Sequence, residues 1–421
     1  MARVRNKKTL VTGVVLLAAG IILNKWVVAA MLVPDGSISS PVVNHAILLF
    51  QVVLAAAGLF LAIRQPSLRV SRTQIVLLAA STIITLASVE LGARLWLNHM
   101  AAPEEFYNYS LYTDIEQFNY APHHYLNYYP TPDYQKGSTF HNSLGYRNRE
   151  FPIKKPEGTC RIAVLGGSTT YETGVEDNSR IFTVQLESVL NRDYGCRVEV
   201  INAGASGYTS WETLLNLVFR VLDLEPDLVI IYQGFNDVYV RLMKPGAYLA
   251  DNSGYRKQWT PPPVPVWEHS CMLRIISRRL GLTNPTALYF FVKRMENRSD
   301  DWLDALERNP PVYFRRNLNN IVALARANDV RIMLSTFAHT PLYATYTAPA
   351  YLKGLEEHNE IIARVAEEKE IPLFDFASVM PSDSVYWTDG IHHSEQGARL
   401  KAGLFARFIV EGGLTGEGSA Q

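Results

Sequence analysis

The sequence predicts an α/β protein, a three-layer sandwich around a flavodoxin-like parallel five-stranded sheet, preceded by three transmembrane helices. Two observations carry this reading. After Cys160, short β-rich runs alternate with helical runs, which implies a parallel sheet covered on both faces. Before residue 98, charge almost vanishes: between Leu10 and Leu97 only Lys25, Asp35, Arg64, Arg69, Arg72, Glu90 and Arg94 are charged.

The 421 residues exceed a single typical domain. Lys plus Arg and Asp plus Glu are both 40, for zero net charge, which argues against a nucleic-acid-binding chain. A hydrophobic content of 48% and an aromatic content of 11% exclude general disorder. Three cysteines are too few for a disulfide scaffold or a cysteine-rich zinc module.

Residues 1–97 read as a three-helix anchor. Leu10–Val33, His45–Ile63 and Gln74–Leu97 each approach the ~20 residues that cross a hydrocarbon core of ~30 Å. A signal peptide accounts for one such segment, not three. Arg3, Arg5, Lys7 and Lys8 precede the first segment, and Arg64, Arg69 and Arg72 separate the second from the third. The Asp35–Asn44 loop has no Lys or Arg, so the positive-inside rule puts the N-terminus in the cytoplasm and everything after Leu97 outside. Lys25 and Glu90 fall at similar depth. They either pair, tying the first helix to the third, or Lys25 snorkels while Glu90 lies near the headgroups.

Residues 98–157 form a connecting segment crowded with Tyr107, Tyr109, Tyr112, Tyr120, Tyr125, Tyr128, Tyr129, Tyr134 and Tyr146. It is too aromatic for a flexible linker. Packing against the downstream domain, resting at a membrane surface and stacking on sugars all suit it. His141, Asn142 and Arg147, in HNSLGYR, are candidates for shaping a site.

From 158 to 412 the expected strands are Arg161–Leu165, Arg197–Ile201, Asp227–Tyr232, Arg331–Thr336 and Leu373–Asp375. In such sheets the chemistry gathers at the carboxyl ends of the strands. There the sequence holds Gly166-Gly167-Ser168-Thr169, Asn202-Ala203-Gly204-Ala205-Ser206-Gly207 and Gly234-Phe235-Asn236-Asp237, with Asp389-Gly390-Ile391-His392 near the end of the chain. Neither a Gly-Lys-Ser/Thr phosphate loop nor G-x-G-x-x-G is present. Asp389, His392 and His393 as a metal set is disfavoured, since adjacent histidines usually point apart. The Asp-x-x-His spacing favours His392 over His393 as the base. Asp237 reads as loop support and His339 as an ordinary loop histidine at the end of the fourth strand.

These motifs, in this order, resemble the SGNH hydrolases, the broad branch of the GDSL lipase and esterase superfamily, over roughly residues 158–412. GGST stands where that family has GDS, losing an acidic residue at Gly167 and keeping the serine. The resemblance implies Ser168 as nucleophile, His392 as general base and Asp389 as its orienting carboxylate. It implies an oxyanion hole from the N–H groups of Ser168 and Gly207 and the side-chain amide of Asn236. The run from PHHYLNYYP to NSLGYRNREFP is similar to a membrane-anchored bacterial subgroup of the family.

Cys160 and Cys196 each precede a strand in what reads as one register. If the first two strands are neighbours ~4.8 Å apart, a disulfide between them is expected; two packed thiols are the alternative. Cys271 has no evident partner. An insertion at about 238–310 contains the stiff Thr260–Val264 stretch and the apolar, arginine-bearing Met272–Leu280, which suits a lid, an acyl-pocket wall, a membrane contact or a surface elaboration. Residues 413–421 read as a flexible tail.

The function expected is a serine ester hydrolase at a bacterial inner membrane, its catalytic domain on the periplasmic side. It would act through an acyl-serine intermediate, with no cofactor and no metal. Expected partners are the bilayer, an acylated envelope carbohydrate or lipid as substrate, and envelope-assembly membrane proteins, but no nucleic acid. The alternatives are an O-acyltransferase using the same serine, with acetyl transfer to a polysaccharide, and a non-catalytic glycan-binding scaffold.

Overall fold

The computed structural model describes residues 7–32, 41–65, 71–101, 105–106, 109–111, 119–257, 266–280, 282 and 293–415. Arg3, Arg5, Asp35, Arg69, Tyr107, Tyr112 and the Thr260–Val264 stretch lie outside them, as does the tail beyond Thr415. The chain divides into two compact units. One comprises Met1–Asp114 with Pro261–Thr286, the other Ile115–Thr260 with Ala287–Gln421.

The first unit contains helices α1 (Lys7–Ile22), α2 (Lys25–Leu32), α3 (Pro41–Arg64) and α4 (Arg72–His99). The first apolar segment departs from expectation, for it is two helices rather than one. Asn24 interrupts it: its Oδ1 accepts the N–H groups of Trp26 and Val27 at 3.0 and 3.1 Å and starts α2 afresh, the usual use of Asn at a helix start. At ~1.5 Å per residue, the 16 residues of α1 fall short of a hydrocarbon core. Among the described residues two helices are therefore long and apolar enough to cross a membrane, Asn44–Arg64 and Arg72–His99. Helices α1 and α3 meet backbone to backbone at Gly13, Gly20 and Gly58, where an added methyl on Gly58 would lie 2.5 Å from the Leu17 nitrogen. Small residues at such a seam permit the close packing typical of helices in lipid.

Of the two readings of Lys25 and Glu90, the pair between them is not what the structure shows. Glu90 pairs with Arg94 one turn along α4, at 2.7 Å. Lys25 sits over the Trp26 ring instead, 4.8 Å from its centre.

In the second unit, the tyrosine-rich segment is more ordered than its sequence suggested. It forms two hairpins, β1 (Tyr120–His123) with β2 (Asn127–Pro130), and β3 (Gln135–Lys136) with β4 (Thr139–Phe140). Five parallel strands follow: β5 (Cys160–Gly166), β6 (Val198–Gly204), β7 (Leu228–Tyr232), β8 (Arg331–Ser335) and β9 (Leu373–Phe374). Their order in the sheet is β6-β5-β7-β8-β9, the doubly wound arrangement expected. β5, β6 and β7 are buried along their whole length, as near-continuous apolar runs in a sheet covered on both faces should be. One core lies on either face. Phe182 and Leu186 of α6 (Phe182–Asp193) and Phe405 and Ile409 of α14 (Glu395–Glu411) pack on one, while Leu318 and Ile321 of α11 (Val312–Ala327) pack on the other. Helix α12 (Pro349–Glu368) packs beside α11 and the shorter α10 (Trp302–Arg308), and a single turn, α13 (Phe376–Val379), follows β9.

The expected disulfide does not form: Cys160 and Cys196 are both free and buried. β5 and β6 are neighbours, but Cys160 pairs with Val198, two residues beyond Cys196. Such an offset adds ~6.6 Å along the strand to the ~4.8 Å between strands, beyond the Cα separation a bridge tolerates. Burial also pushes the Cys160 thiol up to about 11, so it stays protonated.

Candidate active site

Strand β5 ends at Gly166, and the chain turns at once into a short helix, α5 (Ser168–Tyr171), which presents Ser168 at its first position. Across from it, the loop before α14 carries Asp389 and His392. Ser168 Oγ lies 2.8 Å from His392 Nε2, and His392 Nδ1 lies 2.8 Å from Asp389 Oδ2. The other Asp389 oxygen accepts the backbone N–H groups of Ile391 and His392 at 2.8 and 2.7 Å. Partial burial pushes the Asp389 carboxyl up, but the His392 ring and these two amides outweigh it and hold it below the usual aspartate value. An ionised Asp389 accepts from Nδ1–H, which leaves Nε2 free to accept the serine proton.

Gly167, just before the serine, lies close against Asn236. A Cβ there would stand 2.5 Å from Asn236 Nδ2. Asn236 opens α8 (Phe235–Arg241) after β7, and its amide fills that space while donating to the Tyr208 carbonyl at 2.9 Å. The loop after β6 turns at Gly207 with φ +81°, a left-handed conformation that glycine adopts without penalty. Ser168, Gly207 and Asn236 thus come from the ends of three adjacent strands. A small cavity beside the serine is lined by Gly167, Ser168, Asn236, Phe235, Phe337 and Ile391.

The Gly207 loop is stitched in place by tyrosines that sequence reasoning left unassigned. Tyr128 donates its hydroxyl proton to the Ser206 carbonyl at 2.6 Å, and the Ser206 N–H donates to the Tyr120 hydroxyl at 2.8 Å. Tyr208 donates back to the Tyr128 carbonyl at 2.7 Å. On the other side Arg256 donates to the Gly207 carbonyl and to Glu212, both at 2.6 Å. The β1–β2 hairpin is therefore a brace for this loop. The adjacent Tyr128 and Tyr129 in NYYP were the available signal, but nothing local says where their hydroxyls end.

The remaining candidates take scaffold positions. His141 is buried, bonded to the Thr131 carbonyl and the Tyr171 hydroxyl, both at 2.8 Å, and burial lowers it to about 4. Asn142 Oδ1 accepts the N–H groups of Leu144 and Tyr146 and shapes the turn between them. Arg147 is buried and donates to the carbonyls of Tyr171, Glu172, Val175 and Glu176, gathering the chain after α5. Asp237 accepts from Ser210 and Gln233 and holds α7 (Ser210–Asn216) to α8. His339 is exposed, outside the Ser168–His392–Asp389 contacts. His393 points the other way from His392, into a buried group that no motif announced. Its Nδ1 lies 3.4 Å from Glu172 Oε1, and Lys401 of α14 reaches the second Glu172 oxygen at 3.7 Å and donates to the Thr169 carbonyl at 2.7 Å.

The profile of the GDSL-like lipase/acylhydrolase family matches residues 164–400. Solved structures with a similar chain trace include the lipase/acylhydrolase from Enterococcus faecalis, at 20% identity over 59% of this chain and 95% of that one, TM-score 0.38. A GDSL-like lipase from Bacteroides thetaiotaomicron aligns at 17% identity over 60% of this chain and 88% of that one, TM-score 0.36. The acetyl xylan esterase AlAXEase aligns at 14% over 59% and 99%, TM-score 0.38. A comparison with curated protein sequences finds no match. With the family profile covering more than half of its length, the chain belongs to the GDSL-like lipase/acylhydrolase (SGNH) family and is an acylhydrolase by class.

Proposed function

We propose that the protein is a membrane-anchored serine esterase that cleaves an acylated envelope carbohydrate or lipid on the periplasmic side of a bacterial inner membrane. One observation carries the catalytic part: Ser168 Oγ, His392 and Asp389 stand in a chain of two 2.8 Å contacts. His392 takes the serine proton as Oγ attacks the ester carbonyl, because a serine hydroxyl is a poor nucleophile without a base in reach. The N–H groups of Ser168 and Gly207 and the Asn236 amide receive the developing oxyanion, each such donor being worth ~2.7–4 kcal/mol. His392 then returns the proton to the leaving alcohol. Water repeats the sequence on the acyl-serine and frees the acid. The anchoring part is supported by the two long apolar helices, by the close α1–α3 seam and by the basic residues flanking these segments. On this reading α1 and α2 together make the third crossing, as a helix broken at Asn24.

The test is a fluorophosphonate probe on the full-length protein in detergent or nanodiscs, beside turnover of a panel of esters from acetyl to long-chain. Labelling and turnover that both vanish in Ser168→Ala are expected. A folded wild-type protein that neither labels nor turns over any ester would sink the proposal.

A further inference from the structure

Helix α9 (Cys271–Arg279) belongs to the unit of α1–α4, although the chain reaches it by leaving the catalytic unit at Thr260 and rejoins that unit at Ala287. Its side chains are sorted the wrong way round for water. Leu273, Ile276 and, just past its end, Leu280 are 40%, 46% and 43% exposed, and their i, i+3, i+7 spacing puts them on one face. Arg274 and Arg278, on the opposite face, are only 6% and 9% exposed. A helix on a water-soluble surface does the reverse.

Both arginines find partners close by. Arg274 donates to the carbonyls of Tyr109 and Glu268 at 2.5 and 2.6 Å. Arg278 donates to the Ser110 carbonyl at 2.9 Å and to the Glu268 carboxylate at 3.2 Å. The start of α9 is fixed by a residue of α4. Glu90 accepts from the Ser270 hydroxyl at 2.7 Å and from the N–H groups of Cys271 and Met272 at 2.9 and 3.0 Å, while Arg94 donates to Glu90 and to the His269 carbonyl. A carboxylate near the end of an apolar helix thus has its partners brought to it by chain ~180 residues away in sequence.

This junction sits at a definite level. Counting ~20 residues of hydrocarbon from Ile75 reaches Arg94, so Glu90 and Arg94 lie at the margin of the core. Just beyond it Trp96 and Tyr109 pack at 6.2 Å between ring centres, with Arg279 over both, the residue types that collect where lipid meets water.

We infer that α9 is an interfacial helix lying on the outer leaflet, with Leu273, Ile276 and Leu280 at the boundary of the acyl chains. The occupant of its apolar face is lipid, since Glu90 ties the start of α9 to α4 at the margin of the hydrocarbon counted along that helix, where the leucines of α4, Leu91 and Leu95, are exposed as well. The inference rests on the membrane reading of α4, and its test keeps the two apart.

A nitroxide is placed at Ile276→Cys, Leu86→Cys or Val312→Cys, one at a time, in the full chain reconstituted into phosphatidylcholine–phosphatidylglycerol vesicles. The native cysteines are buried, and wild-type protein carried through labelling gives the background. Oxygen and a water-soluble nickel chelate report lipid and aqueous exposure. The oxygen-to-nickel ratio should be several-fold higher at 276 and at 86 than at 312, an exposed position of the catalytic unit. A lipid signature at 86 with an aqueous one at 276, or with 276 shielded from both reagents as under a protein partner, overturns the interfacial helix alone. Aqueous signatures at both positions overturn the membrane reading with it.

Discussion

Two histidines adjacent in sequence stand on opposite sides of the nucleophile turn. On the cleft side, His392 is held between Asp389 and Ser168 by two 2.8 Å contacts and keeps part of its surface open. On the core side, His393 is wholly buried, packed on Trp387, and its nearest carboxylate, Glu172, stands 3.4 Å away and is shared with Lys401. Each region combines a carboxylate with an imidazole, yet only His392 also has a serine hydroxyl on its other ring nitrogen. Residue type therefore decides less than position. His392 has an acidic oxygen on one ring nitrogen and a hydroxyl on the other, whereas burial depresses His393 and keeps it neutral. The core-side group acts on the backbone instead: Lys401 holds the Thr169 carbonyl one residue after Ser168, and Glu172 follows as the left-handed residue that ends α5.

The largest effect that tests this contrast is in rate. His392→Ala should lower kcat on the order of a million-fold, the scale seen when a triad base is removed, with the melting temperature of the full chain little changed. His393→Asn should keep most of the rate while lowering the melting temperature. Equal rate losses in the two variants, measured by steady-state ester turnover, would erase the distinction. Next in size is Lys401→Met. It strands the buried Glu172 carboxylate and should cost roughly 3–5 kcal/mol of stability, the penalty for breaking a buried pair. Removing the charge as well, in Lys401→Met/Glu172→Gln, should restore part of it. Because Lys401 anchors the turn that carries Ser168, kcat should fall more than KM rises. A double variant no more stable than Lys401→Met would mean that the pair is not what fixes the turn.

The sheet was legible because its strands are short runs of mostly buried apolar residues, and the first three end in unusual motifs. Expected and observed limits, such as Arg331–Thr336 against Arg331–Ser335, differ by a few residues at most. The contact of Ser168 with His392 and Asp389 was legible because Ser168 stands at a strand end and Asp389 and His392 keep a fixed Asp-x-x-His spacing. What escaped depends on partners far along the chain. The register that sets Cys160 opposite Val198 leaves no mark in either strand. Lys401, in RLKAGLF, reads as a solvated helix residue until Glu172 and Thr169 are placed beneath it. Glu90 offered Lys25 as the nearest opposite charge by depth, whereas its real partners are Arg94 and the start of α9. The break at Asn24 was local and readable in principle, since an amide side chain between apolar residues is a ready helix cap.

A third buried carboxylate sharpens the comparison with a smaller effect. Glu172 and Asp237 are both out of contact with water, but only Glu172 has an ammonium beside it. Burial pushes Glu172 up, and Lys401, His393 and Arg147 together more than reverse it, so its carboxyl titrates below the usual range. Asp237 has only the neutral donors Ser210 and Gln233, and burial drives it up to about 7. Between about pH 4 and 7 the folded chain therefore keeps a proton at Asp237 that the unfolded chain has released. Stability through this group falls as pH rises across that window, by no more than about 1.4 kcal/mol per pH unit, and levels off above it. Asp389 titrates the opposite way: its lowered value contributes stability above about pH 4 that is lost on further acidification. Melting of the full chain in nanodiscs from pH 4.5 to 7 should show the downward slope in wild type and a flatter one in Asp237→Asn, while Lys401→Met/Glu172→Gln, which removes the buried pair whole and leaves no lone ammonium to titrate, keeps the wild-type slope. If the double variant flattened the curve and Asp237→Asn did not, the carboxylate keeping its proton would be the one beside Lys401, and the two buried acids would exchange roles.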